Sequence, residues 1–181
     1  MTEKNDEQLM LAYGNGDSAA FTELYQRHKA PLYRYFLRQI SSSARAEELY
    51  QETWIRVVDN RQRYQSSAKF TTWVYKIAHN LLVDEYRKES SHTHWLKQVQ
   101  QEETEEAMTD EFSEAKKRAI KICVSSLPSH QREAFMLKHD SGFSREEICD
   151  IIAVKPETLK TRLRYALDQL RQCISRKLGE V

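Results

Sequence analysis

Residues 144–172 read SREEICDIIAVKPETLKTRLRYALDQLRQ, two helical patterns separated by a turn too short to be a linker. Ile148, Ile151 and Ile152 form the apolar side of the first pattern. Leu159, Leu163, Ala166, Leu167 and Leu170 recur at spacings of three and four in the second and define its inner side. Ser144, with Glu147 three residues on, makes a capping box that fixes the start of the first helix. Pro156 is placed as the first residue of the second, where its missing N–H costs nothing. Thr158, Lys160, Thr161, Arg164 and Tyr165 are then left pointing outward from the early turns of the second helix, with Arg162 at the border. Such donors and acceptors have the reach to meet base edges in a major groove, and Arg162 is placed for the phosphate backbone. An ordinary helical hairpin would share the inner faces. The short Ala153-Val154-Lys155 turn, the capping box and the basic outer face together favour DNA.

The charge pattern agrees. The 181 residues carry 28 Lys/Arg against 27 Asp/Glu, and the net +1 hides a partition. Residues 1–90 hold 13 bases and 12 acids, residues 91–112 one base and six acids, and residues 113–181 14 bases and nine acids. Seven bases and only two acids fall between positions 155 and 177, so the positive excess sits on the final helix, as a polyanion partner would require.

Only four Gly and three Pro punctuate the chain, and good helix formers fill the intervals, which predicts an all-α fold. No apolar run approaches the roughly 20 residues that cross a bilayer, and MTEKNDEQLM lacks the apolar core of an export signal, so a cytoplasmic protein without membrane insertion is expected. Cys123, Cys149 and Cys173 are odd in number and widely spaced, unlike a zinc site or a disulfide framework, and are expected to be buried reduced thiols. His92 and His94 form an HxH pair without further convergent ligands, so no metal and no cofactor are expected.

The acidic stretch 91–112 lacks helical period and reads as a flexible linker between two small helical domains, 1–90 and 113–181, the second containing the helix-turn-helix. Upstream, Asp17 caps a helix that buries Phe21, Leu24, Tyr25, Leu32, Tyr35 and Phe36. ARAEELYQETWIRVVDN turns Leu49, Trp54, Val57 and Val58 inward and leaves Glu47, Glu48, Gln51 and Glu52 free to face out. KFTTWVYKIAHNLLVDEYRKES carries Phe70, Trp73, Val74, Ile77, Ala78 and Leu81 on one broad stripe. Downstream, Ala119, Ile122, Cys123 and Leu127 form the apolar side of a helix that Pro128 ends.

These residues carry a resemblance. LPSHQREAFMLKHDSGFSREEICDIIAVKPETLKTRLRYALDQLR resembles the promoter-reading carboxy-terminal domain of a bacterial sigma-70-family factor of the extracytoplasmic-function (ECF) group. ARAEELYQETWIRVV followed by KFTTWVYKIAHNLLVDEYRK resembles that group's first domain, in the same order. The sequence departs from the family pattern at Ala153, where Gly is usual, at Cys149, where Ala is usual, and at Lys155, a weak N-cap.

The resemblance implies a sigma factor, not an enzyme, that binds core RNA polymerase and directs initiation at promoter DNA. It assigns core docking to Glu48, Gln51 and Glu52, and capture of the melted minus-ten element to residues 65–70 with Asn80. Tyr75, Lys76 and His79 are the residues of that helix expected to be exposed to DNA, and Arg87 to touch phosphates; Trp73 reads as core. The minus-thirty-five element falls to Thr158, Lys160, Thr161, Arg162, Arg164 and Tyr165. An anti-sigma factor is an implied partner. A stand-alone helix-turn-helix regulator would explain the basic last helix but leaves AEELYQET without a task. No Walker-type loop or nucleophile motif suggests catalysis.

Overall fold

The structure, a computed structural model, describes residues 3–92 and 111–179. The described residues are helical, with no strand among them: α1 Asp6–Gly14, α2 Ser18–Gln39, α3 Ser43–Asp59, a 3-10 turn Arg61–Arg63, α4 Phe70–His92, α5 Glu111–Ser125, α6 Ser129–His139, α7 Arg145–Ile152 and α8 Pro156–Gly179. Most of the acidic stretch, and the side chains of His92 and His94, lie outside what is described.

Helix starts follow from capping. The Ala19 and Ala20 N–H groups donate to Asp17 Oδ1 at 3.1 and 3.3 Å, and Ser42 and Ser144 accept from Arg45 and Glu147. The box expected at Ser144 is half made, because the Glu147 carboxylate turns to Lys69 instead. α2 runs unbroken through Pro31 at the loss of one backbone hydrogen bond. α1, which the apolar pattern does not announce, has a reciprocal Asn5/Gln8 capping box and buries Leu9 and Met10. Its Glu7 accepts the Phe70 N–H at 2.9 Å and so caps α4.

α1 to α4 enclose Leu24, Leu32, Phe36, Val57, Phe70, Val74 and Leu82, and α6 to α8 enclose Leu137, Ile148, Ile151 and Leu159. These two groups join into one continuous apolar cluster through Tyr35, Tyr75 and Phe143, because α4 packs on α7 and α2 on α6. A satellite cluster of Cys123, Leu127, Ala166 and Leu170 holds α5 to α8.

Three expectations need correction. Cys123 and Cys173 form a disulfide with Cα atoms 5.8 Å apart, leaving Cys149 as the free thiol. The 50 residues between them in sequence vanish in space because α5 lies along α8. Ile122 is exposed, since the buried side of α5 runs through Ala119 and Cys123, with Leu127 just past its end. Leu167 is exposed as well, one position outside the Leu163, Ala166 and Leu170 seam.

Candidate nucleic-acid and polymerase interfaces

The turn between α7 and α8 is set by Ala153, whose φ of 55° and ψ of 51° lie in the left-handed region. Its N–H and that of Val154 both reach the Cys149 carbonyl, closing α7 so that the chain re-enters a helix at Pro156. Leu159, Leu163, Ala166 and Leu170 face inward, which leaves Thr158, Lys160, Thr161, Arg164 and Tyr165 exposed and Arg162 half-buried. Thr161 Oγ1 donates to the Glu157 carbonyl, and the Arg164 guanidinium lies 5.3 Å from the centre of the Tyr165 ring. No carboxylate among the described residues forms an ion pair with Lys160, Arg162 or Arg164, although Glu157 and Asp168 are exposed on the same helix. Arg162 instead lies beside His130, whose imidazole is held below its ordinary pKa first by burial and then by that cation.

On α4 the expected minus-ten residues split. Asn80 is exposed and lines an open pocket with Arg56, Asn60, Arg63, Trp73 and Ile77. Trp73 is half-buried, edge-on to Tyr64 at 5.2 Å, so one part is core and another wall of the pocket. Arg56, Asn60 and Arg63 are the lining residues that sequence reasoning missed; they flank the 3-10 turn just before the 65–70 loop. That loop is tied by Tyr64 Oη donating to the Ala68 carbonyl at 2.6 Å, and it exposes Gln65, Ser66, Ser67 and Lys69.

The other side of α4 is covered. Tyr75, expected to be exposed, retains 4 % exposure. Its ring packs edge-on to Phe143 at 4.8 Å and Tyr35 at 5.4 Å, and burial pushes its hydroxyl up to about 12. Lys76 Nζ meets Asp150 at 2.8 Å and Lys69 Nζ meets Glu147 at 3.3 Å. His79 Nδ1 lies 2.6 Å from Glu133 Oε1, and Tyr35 Oη donates to that same oxygen at 2.7 Å. Burial, with the Glu133 charge next, holds the Tyr35 hydroxyl well above its ordinary pKa. Arg132 closes the edge, donating to the Gln39 carbonyl and to Tyr86 Oη. Arg87 is exposed farther along α4.

α3 presents Glu48, Gln51 and Glu52 on one side, above buried Leu49 and Trp54. Glu48 pairs with Arg45, Glu52 pairs with Arg56 at 3.1 Å, and Gln51 donates to Glu47. Arg45 also grips Glu85 of α4 through two nitrogens, at 2.7 and 2.6 Å, which holds that carboxyl below the usual range. Ile55 is 52 % exposed beside an apolar groove of Phe21, Tyr25, Trp54 and Val58. The acids therefore adjoin an uncovered apolar anchor that the helical pattern alone did not single out.

The chain is similar to known proteins across both of its helical parts. The family models for Sigma-70 region 2 and Sigma-70, region 4 match residues 24–92 and 117–170, together more than half of the chain. The chain is 28 % identical over 168 residues to the ECF RNA polymerase sigma factor SigW of Bacillus subtilis, covering 87 % of this chain and 90 % of that protein. It is 26 % identical over 165 residues to the RNA polymerase sigma factor CarQ of Myxococcus xanthus, covering 91 % and 95 %. The sigma factor RpoE of Bartonella quintana, solved with the anti-sigma factor NepR, shares the fold with a TM-score of 0.71 at 21 % identity, over 86 % of this chain and 96 % of that one. With both regions matched in order, the first falling on α2 to α4 and the second on α5 to α8, the chain belongs to the sigma-70 family, in its extracytoplasmic-function group.

Proposed function

We propose that this chain directs promoter-specific transcription by dividing three contacts among its helices. α3 docks on core RNA polymerase through Glu48, Gln51 and Glu52, with Ile55 and its groove as the apolar anchor. α4 and the 65–70 loop take the unpaired minus-ten strand: Asn80 offers a donor and an acceptor, Arg56 and Arg63 supply positive charge, and Trp73 offers a flat wall in the same pocket. Lys76 and His79 add contacts from the other side of the same helix and Arg87 touches a phosphate, whereas Tyr75, buried against Phe143 and Tyr35, is not part of this surface. Thr158, Lys160, Thr161, Arg162, Arg164 and Tyr165 read the minus-thirty-five duplex in the major groove.

The observation that carries this reading is the open face of α8, whose Lys160, Arg162 and Arg164 have no carboxylate partner among the described residues, in a chain that matches both regions. The chain divides at residues 91–112 into its two readers. Those 22 residues can extend to roughly 75 Å but average about 25 Å as a relaxed coil, while one helical turn of DNA is about 34 Å. Polymerase must therefore hold the readers apart, and the acidic segment suits a basic path along it. An anti-sigma factor, as in the RpoE complex, would regulate a cytoplasmic protein of this kind.

The test is transcription by purified chain plus core polymerase on a promoter library, with transcript starts sequenced. Start sites sharing two spaced elements are expected. Failure to direct initiation at any site, or tight specific binding of duplex by the chain alone, would favour a stand-alone regulator.

A further inference from the structure

α1 lies ahead of residue 24, where the match to the first region begins, yet both of its ends reach the minus-ten reader. In its first turn, the half-buried Glu7 carboxylate accepts the Phe70 N–H at 2.9 Å, across 63 positions of sequence. Phe70 opens α4 and is fully buried, so this bond fixes the point where the 65–70 loop becomes helix. That turn of α1 is itself anchored. Asp6 receives Arg27 Nη1 at 3.0 Å and lies 2.7 Å from His28 Nε2, and the His28 ring is centred 5.3 Å from the Phe70 ring. At the other end of α1, Gly14 approaches the 3-10 turn so closely that a Cβ there would stand 3.2 Å from the Arg61 carbonyl oxygen. The Arg61 guanidinium lies 5.8 Å from the centre of the Tyr13 ring. Asn60 and Arg63, at the start and end of this turn, line the pocket with Asn80.

Between these two grips the loop is held lightly. The Ala68 N–H donates to the Gln65 carbonyl and Tyr64 Oη to the Ala68 carbonyl, while Gln65, Ser66 and Ser67 stay exposed. Burial first, then the charges of Glu7 and Asp6, push the Tyr64 hydroxyl up to about 12, so both clasps of the loop share one acidic neighbourhood. A strand captured unpaired binds better to a receiver already in shape, because ordering a free loop on binding costs affinity.

We infer that α1 braces the minus-ten reader, with Glu7 as its positioning residue: by holding the start of α4 it keeps the 65–70 loop and the Asn80 pocket in the shape that receives the unpaired strand. Glu7 itself touches no DNA. This role rests on the assignment of α4 and the loop to minus-ten DNA made above.

The experiment uses holoenzyme assembled from the full chain and core polymerase, with duplex promoter templates randomised across the minus-ten or the minus-thirty-five element and the transcribed templates sequenced. Glu7→Ala should reduce preference among minus-ten sequences about three- to tenfold, the scale of one lost cap, and leave minus-thirty-five preference and co-purification with core unchanged. Glu7→Gln keeps an acceptor oxygen within reach of the Phe70 N–H and should retain most of the preference. Glu7→Asp keeps the charge but falls one methylene short, so it should show the selective loss; it takes the place of Glu7→Ala should circular dichroism find that variant unfolded. Asp17→Ala removes the cap of α2, a similar loss of stability away from the reader, and should alter neither preference. Unchanged minus-ten preference in Glu7→Ala, equal loss at both elements, no retention in Glu7→Gln, or the same selective loss in Asp17→Ala overturns the brace. If Asn80→Ala also leaves minus-ten preference intact, the assignment of α4 fails and the brace with it.

Discussion

Ala153 offers the most direct check on the geometry of the reading head. At φ 55° and ψ 51° it is the one non-glycine residue with positive φ among the described residues. An L-residue there sets its Cβ against the following carbonyl, a strain of roughly 1–2 kcal/mol that glycine does not have. Ala153→Gly also loosens the unfolded chain, which costs about 0.4–1 kcal/mol. The balance is a gain of about 0.5–1 kcal/mol, the strain relieved exceeding the entropy lost. Ala153→Val moves the other way, because a β-branched side chain is excluded from this region more strongly still. The two variants should differ by about 2 kcal/mol, or about 4–8 °C in Tm for a chain of this size. Urea titration followed by circular dichroism measures it, with an unchanged slope as the sign that only the folded state was altered. Ala153 is exposed, so no packing change confuses the comparison. A loss of 1 kcal/mol or more in Ala153→Gly would mean that the turn is not left-handed, and the placement of α8 would fall with it.

The remaining tests address the surfaces and the links between helices. Lys160→Ala and Arg164→Ala should each reduce transcription from the cognate promoter several-fold while leaving co-purification with core polymerase intact; equal loss of both would refute the division of contacts. Glu52→Lys removes a carboxylate from α3 and strands Arg56, so core affinity should fall while folding persists; unchanged co-purification would remove α3 from the docking face. Reducing Cys123–Cys173 opens a 50-residue loop, which chain entropy values at about 4 kcal/mol, so the urea midpoint should drop on adding dithiothreitol and Cys123→Ser should be insensitive to it. At high pH, Tyr75 and Tyr86 have hydroxyls pushed by burial to about 12, so they stabilise the fold below pH 10 and that contribution disappears as pH rises towards 12. The urea midpoint, followed by circular dichroism, should therefore fall over that interval and not below it.

The parts of this molecule that are legible in its sequence are those whose causes are local. Asp17, Ser144 and Pro156 mark helix starts, and Leu159, Leu163, Ala166 and Leu170 mark a buried seam, because capping and the 3.6-residue period act within a few residues. The basic outer face of α8 follows once that seam is known. Tyr75 was not legible for the opposite reason: it lies off the stripe of Phe70, Val74 and Ala78 that faces α1 to α3, and its cover comes from Phe143, 68 positions away. The Cys123–Cys173 bond likewise depends on α5 lying along α8, which neither cysteine encodes alone. Leu167 fails at the margin, where a helix position is apolar by type but one step outside the packed seam. α1 did leave a local signal in Asn5 and Gln8, yet its two buried residues are adjacent and produce no periodicity.

How firmly the two helical parts hold together in the free chain is decided by the contacts between them. The pairs Lys69–Glu147, Lys76–Asp150 and Arg34–Asp140 are partly exposed and contribute about 0–1 kcal/mol each. Separating Tyr75 from Phe143 re-exposes two aromatic side chains, each costing up to about 1.5–3 kcal/mol. Against this, Glu133 regains water when it leaves His79 and Tyr35, which offsets part of what those hydrogen bonds give up. The sum is about a few kcal/mol, enough to keep the two parts packed together in the free chain most of the time.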